Sequence, residues 1–137
     1  MREQPWEEIE HTADWALHVW GQDLRTLFEN AARGMVQLVG GEADLAETPV
    51  RHTVELEAPD PEILLVDWLS ELLYLIEDRS IVFEDIAVRS LEDLRLKAEV
   101  AGHPGGRFTK HIKAVTYHNL SIHCEAGRCE TTIVFDV

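Results

Sequence analysis

Basic residues are scarce in this chain. Twelve Lys and Arg stand against 26 Asp and Glu, a formal net charge of −14 over 137 residues. So acidic a protein is repelled by phosphate backbones, which excludes tight direct nucleic-acid binding. It would be drawn instead to a basic partner. Cysteine is scarcer still, with only Cys124 and Cys129. Two cysteines make no disulfide framework, and their spacing is wider than the C-x-x-C of zinc or redox sites, so free, half-buried thiols in a reducing, cytoplasmic setting are expected. No apolar run reaches the roughly 18 residues of a membrane span. The start, Met1 to Glu8, lacks the apolar segment of a secretory signal. Phosphate-binding glycine loops and the G-x-S-x-G elbow are also missing.

What is present is enough for one domain spanning residues 1–137. A chain of this length buries roughly two-thirds of its unfolded surface and needs neither disulfide nor metal to fold. Its organising element is the stretch from Pro61 to Glu77. Leu65, Trp68, Leu69, Leu72, Leu73 and Ile76 recur at helical spacing. Asp60 suits the N-cap and Pro61 the first turn. The helix is nearly apolar all round, so it should lie deep.

Before it, Trp15 to Trp20 alternates like a strand with one buried face. Asp23 can cap a helix that carries Leu24, Leu27, Phe28, Ala31, Met35, Leu38 and Val39 and stops at Gly40-Gly41. Residues 42–49 read as an acidic surface loop, and Val50 to Ala58 as a strand with one wet face. After the central helix come a strand interrupted at Glu84-Asp85, a turn at Leu91-Glu92-Asp93, and a strand from Leu94 to Ala101 that pairs with it. Gly102 to Gly106 reads as a flexible loop.

Ala114 to His123 and Cys129 to Val137 read as a closing hairpin with two admissible registers. One sets Cys124 opposite Cys129 and Tyr117 opposite Asp136. The other, with a type I turn and Gly127 left-handed, sets Thr116 opposite Asp136. The second is slightly preferred because Ala126 resists positive φ. Two helices against clustered antiparallel or mixed strands predict an α+β fold.

The residues with chemical potential lie at the chain ends. Asp136 stands beside Val137, so a natural terminus there would add a second carboxylate, and Asp14 opens an early strand. If those strands are neighbours, three carboxylates converge, and their repulsion calls for a cation. Oxygen-only ligands suit calcium, magnesium or manganese. On spacing alone, the plain alternative is that Asp14 caps a turn and Asp136 is a solvated edge residue. His11 and Asp14 form an H-x-x-D, by itself a weak zinc signal that usually marks a turn. His111, Lys113 and Tyr117 share strand parity and His118 points the other way. A Lys–Tyr pair can serve as acid or base or contact a phosphate, although such residues more often form a strand's wet face.

Several stretches together resemble the archease family. They are Glu10-His11-Thr12-Ala13-Asp14, Leu27-Phe28-Glu29-Asn30-Ala31-Ala32-Arg33-Gly34-Met35, Leu64 through Tyr74, Ile112-Lys113-Ala114-Val115-Thr116-Tyr117-His118, and Phe135-Asp136-Val137. They cover nearly the whole chain in order. Trp15-Ala16 departs from the family's more usual Ile-Gly, and the loop from Gly102 to Thr109 is unusually rich in glycine and basic residues. The resemblance implies an α+β protein of strand-helix-strand-strand modules. It also implies a non-enzymatic activator of the GTP-dependent tRNA-splicing ligase, promoting that ligase's guanylylation and multiple turnover. A divalent-metal site, calcium first, is implied at Asp14, Asp136 and the terminal carboxylate of Val137. His11, Lys113, Tyr117 and His118 are then candidate partner or nucleotide contacts. The alternatives are a metal-dependent enzyme or small-ligand binder of the same fold, and a chaperone-like modulator of an RNA-modifying enzyme.

Overall fold

The computed structural model describes residues 4–10 and 15–137. The elements run β1 (Trp6–Glu10), β2 (Trp15–Gly21), α1 (Leu24–Val39), β3 (Val50–Glu57), α2 (Pro61–Arg79), β4 (Val82–Glu92), β5 (Arg95–His103), β6 (Ala114–Val115), β7 (His123–Glu125) and β8 (Arg128–Asp136). One sheet has the order β1-β2-β8-β6, with β7 also on β8, and the other has the order β3-β5-β4. Every pairing is antiparallel. Each helix touches both sheets, α1 through β2 and β4 and α2 through β6 and β3. This is the expected α+β fold.

Both helices start as their sequences dictate. The Asp23 carboxylate accepts from the Thr26 N–H at 2.8 Å, and the Asp60 carboxylate from the Ile63 N–H at 2.8 Å. These bonds occupy amides that the first turn leaves free. The Thr26 hydroxyl and backbone N–H together hold the Asp23 carboxyl below its ordinary value, against a small opposing effect of burial. On α2, Leu64, Leu65, Val66, Trp68, Leu69, Leu72, Leu73 and Leu75 are buried, while Asp67, Ser70, Tyr74, Glu77 and Asp78 leave one exposed stripe. The Trp68 indole N–H donates to the Phe28 carbonyl at 3.0 Å and ties α2 to α1. Gly34 lets α1 lie tight on the first sheet, since a Cβ there would sit 2.8 Å from Leu17 Cδ2 and 2.9 Å from Trp6 Cγ.

One strand is new and three expectations change. The segment Trp6 to Glu10 is a strand at the sheet edge, where exposed Glu7 and Glu8 hide the period-2 pattern. The β5 strand runs through Gly102 to His103, both buried, because Gly102 fits where a Cβ would lie against the Val82 carbonyl. The stretch from Ala114 to His123 is two short strands rather than one. The β6 strand sets Ala114 opposite Asp136, β7 sets Cys124 opposite Cys129, and the seven residues between them leave the ladder. Neither Tyr117 nor Thr116 therefore faces Asp136. The turn places both Ala126 (φ 48°) and Gly127 (φ 77°) in the left-handed region, so the tight two-residue turn won over the residue preference of alanine. Finally, Cys124 and Cys129 form a disulfide, with Cα atoms 4.0 Å apart across the ladder. Directly opposed positions bring the sulfurs together, and the free-thiol argument for a reducing setting falls away.

Candidate functional site

The C-terminal end of β8 is paired on both sides, with β2 on one side and β6 on the other. Ile133 and Phe135 are fully buried, so alternation turns Asp136 outward to solvent. Trp15, the chain neighbour of Asp14, pairs with Phe135, the chain neighbour of Asp136. On the other side, the Lys113 N–H donates to the Asp136 carbonyl at 2.7 Å. The Asp136 carboxylate forms no ion pair among the described residues. Val137 packs partly against the core. His11 and Asp14 lie outside the described residues.

The loop after β6 is built from its own polar groups. The Thr116 N–H and hydroxyl both donate to the Val134 carbonyl, at 3.0 and 2.9 Å. The His118 N–H donates back to the Thr116 hydroxyl at 3.3 Å, and the Leu120 N–H to the Tyr117 carbonyl at 3.0 Å. Asn119 takes a left-handed φ of 51° to close the turn. Tyr117, 54% exposed, and His118 therefore stand in solvent on a tight turn, not on the wet face of a strand. The far end of the loop is anchored by the Ile122 N–H, which donates to the Glu62 carboxylate in the first turn of α2 at 2.9 Å, and by the Thr131 hydroxyl on the Ser121 carbonyl.

The structure thus brings Lys113 and Asp136 together and sets Tyr117 and His118 on the adjoining turn. It does not arrange His111, Lys113 and Tyr117 along a strand, because β6 is only Ala114–Val115, with His111 and Lys113 before it and Tyr117 after it. One contact was not legible in the sequence. Lys110 Nζ lies 5.7 Å from the centre of the Trp15 ring and puts a cation over the start of β2. The 95-residue separation of these two side chains hides it from any local pattern.

Among the described residues, no three His, Cys, Asp or Glu side chains gather closely enough to hold a metal ion. Asp136 itself fits a hard cation: it is a solvent-facing oxygen donor with no ion-pair partner among the described residues. Two open hollows, of about 540 and 430 Å³, lie along the three-stranded sheet. The first is lined by Glu55, Leu56, Arg95 and Lys97 among others, the second by Arg33, Arg51, Asp85 and Glu99 among others, and neither is lined by Asp136. No helix among the described residues is long and apolar enough to cross a membrane.

Residues 6–137 match the model of the Archease protein family (MTH1598/TM1083). A protein archease of Methanopyrus kandleri is 35% identical, over 97% of this chain and 99% of its own. One of Methanosarcina acetivorans is 37% identical, over 96% and 95%. Among solved structures, Methanobacterium thermoautotrophicum protein 1598 superposes with a TM-score of 0.72 at 28% identity, over 98% of this chain and 100% of that one. A Thermotoga maritima archease described as a possible chaperone gives 0.68 at 26% identity, over 100% and 98%. With the fold shared over the full length and sequence identity above 30% across nearly all of it, the chain belongs to the archease family.

Proposed function

We propose that this protein is a non-catalytic activator of the GTP-dependent tRNA-splicing ligase, acting through a divalent-metal site formed by Asp14, Asp136 and the terminal carboxylate of Val137. The observation that carries the reading is the pairing of Trp15 with Phe135, which brings the flanks of the two aspartates into register. Family membership supports an accessory role, and the description of the Thermotoga maritima relative as a possible chaperone agrees with action on a partner protein. The net charge of −14 suits a partner whose own surface must be basic to hold RNA.

In this reading β8 carries Asp136 to the rim of the molecule on a rigid, doubly paired strand. Calcium is the expected ion, with magnesium or manganese as alternatives, and a bound cation would offset phosphate charge at the partner's nucleotide. Lys113, whose backbone N–H donates to the Asp136 carbonyl, and the Tyr117–His118 turn after β6 would meet the partner or its nucleotide. His11, next to Asp14 in the chain motif, is assigned the same contact role. The chain supplies placement and charge, and the reacting histidine belongs to the ligase.

The test is multiple-turnover RNA ligation with limiting cognate ligase. The ligase alone should stall near one turnover, and adding the protein should carry it well beyond. Asp14→Ala and Asp136→Ala should each abolish that gain while leaving thermal stability near that of the parent. A ligase indifferent to the protein, or full activation by both variants, would overturn the proposal.

A further inference from the structure

The three-stranded sheet has two edges, and they are treated differently. On β4 the edge is closed. The Glu29 carboxylate accepts from the Val88 N–H at 2.9 Å, Arg25 donates to the Val88 carbonyl at 3.0 Å, and Arg33 donates to the Ile86 carbonyl at 3.2 Å. The strand is also broken by register shifts between Phe83 and Asp85 and between Val88 and Ser90. Charged side chains on the backbone and bulges are the devices that stop an edge from pairing with another chain.

The β3 edge has no bulge, and no side chain bonds its backbone among the described residues. It pairs with β5 over eight consecutive residues, Val50 to Glu57, without a bulge. One step past its end, the Ala58 N–H donates to the Leu94 carbonyl at 3.2 Å, which sets the phase of the ladder. Even-numbered residues then exchange bonds with β5, and the N–H and C=O of Arg51, Thr53, Glu55 and Glu57 turn away from it. No other backbone group bonds these four among the described residues. Their side chains are exposed on one face, while Val50, His52, Val54 and Leu56 lie at least half-buried on the other.

We propose that β3 pairs antiparallel with β3 of a second copy of this chain, about a two-fold axis at Val54, to make a continuous six-stranded sheet. The sequence of the edge is complementary to itself in this register. Arg51 falls opposite the second copy's Glu57, and Thr53 opposite the second copy's Glu55, with each pair occurring twice. These are the four residues whose backbone groups are turned outward, so the register that matches the charges also matches the hydrogen bonds. On the other face, Val54 meets its own counterpart and His52 meets the second copy's Leu56. Those are the non-hydrogen-bonded positions, where side chains approach more closely. Arg51 has no ion-pair partner within the chain among the described residues. Glu57 is held only by a largely exposed contact with Arg95 at 3.3 Å, which leaves it able to engage a second cation.

Self-association through β3 needs no ligase and is read by sedimentation of the full chain over a hundredfold concentration range. Salt near 0.15 M shortens the Debye length to about 8 Å, so the net charge of each copy does not mask the contact. The parent should shift from monomer to dimer with rising concentration. Thr53→Pro removes an N–H that points away from β5, so the monomer's own ladder stays whole. It should weaken the dimer at least tenfold. Arg51→Glu should do the same by facing Glu57 with a like charge, and Arg51→Glu combined with Glu57→Arg should restore association. A parent that stays monomeric throughout, a dimer indifferent to Thr53→Pro, or a charge swap that fails to restore pairing would each overturn the proposal.

Discussion

Replacing Glu29 by alanine is expected to lower stability by about 2 kcal/mol, far more than a half-exposed glutamate on a helix would ordinarily cost. Its carboxylate is the acceptor for the Val88 N–H, 59 residues away in sequence, and the side chain is only 16% exposed. A hydrogen bond to a charged group contributes about 1.5–3 kcal/mol, and its loss leaves the Val88 amide without its acceptor. The pairs with Arg25 at 3.5 Å and Arg33 at 3.1 Å involve arginines 41% and 49% exposed, so each adds only about 0.3–0.5 kcal/mol. The better helix propensity of alanine returns about 0.4 kcal/mol. For a chain of this length, a loss near 2 kcal/mol lowers the melting temperature by about 7 °C. Urea unfolding followed by tryptophan fluorescence gives the free energy, and amide exchange at Val88 locates it. Glu29→Gln keeps an acceptor and should lose under about 1 kcal/mol. Stability of Glu29→Ala within about 0.5 kcal/mol of the parent, with the Val88 amide still protected, would refute the clamp.

Reducing the Cys124–Cys129 disulfide should cost about 2 kcal/mol, the loop-closure value for so short a ring, and should raise amide exchange in β7. Two titratable thiols in the unfolded, unreduced protein would contradict the bond. Asp23→Ala should cost about 1 kcal/mol through loss of the α1 cap. Because Asp23 has a depressed carboxyl pKa in the fold, its contribution is present above the unfolded value near 3.8 and is lost as pH falls through the lower folded value. Urea midpoints of parent and variant should therefore converge below about pH 4, and a constant difference down to pH 2 would argue against the assignment.

Much of the fold was legible because it is written in local terms. Asp23 and Asp60 announced the two helix starts, and Gly40-Gly41 the end of the first. The expected break at Glu84-Asp85 is the first bulge of β4. These features depend on neighbours within about four residues, where spacing and side-chain chemistry decide the outcome. Edge strand β1 was not legible, because two exposed glutamates erase its alternation and only pairing with β2 makes it a strand. Asp136 was picked out by its place next to the chain end, but its outward direction rests on the burial of Phe135 against distant residues.

Composition and order alone determined that this chain is acidic, has an α+β fold and carries the ordered motifs of the archease family. Tertiary structure alone decided where the last hairpin leaves its ladder, that Cys124 meets Cys129, and that β4 is sealed by α1 while β3 is left open. The physical reason is range. Propensity, capping and periodicity act within a few residues, whereas register, disulfide pairing and edge protection depend on groups tens of residues apart that only the packed chain brings within a few ångströms.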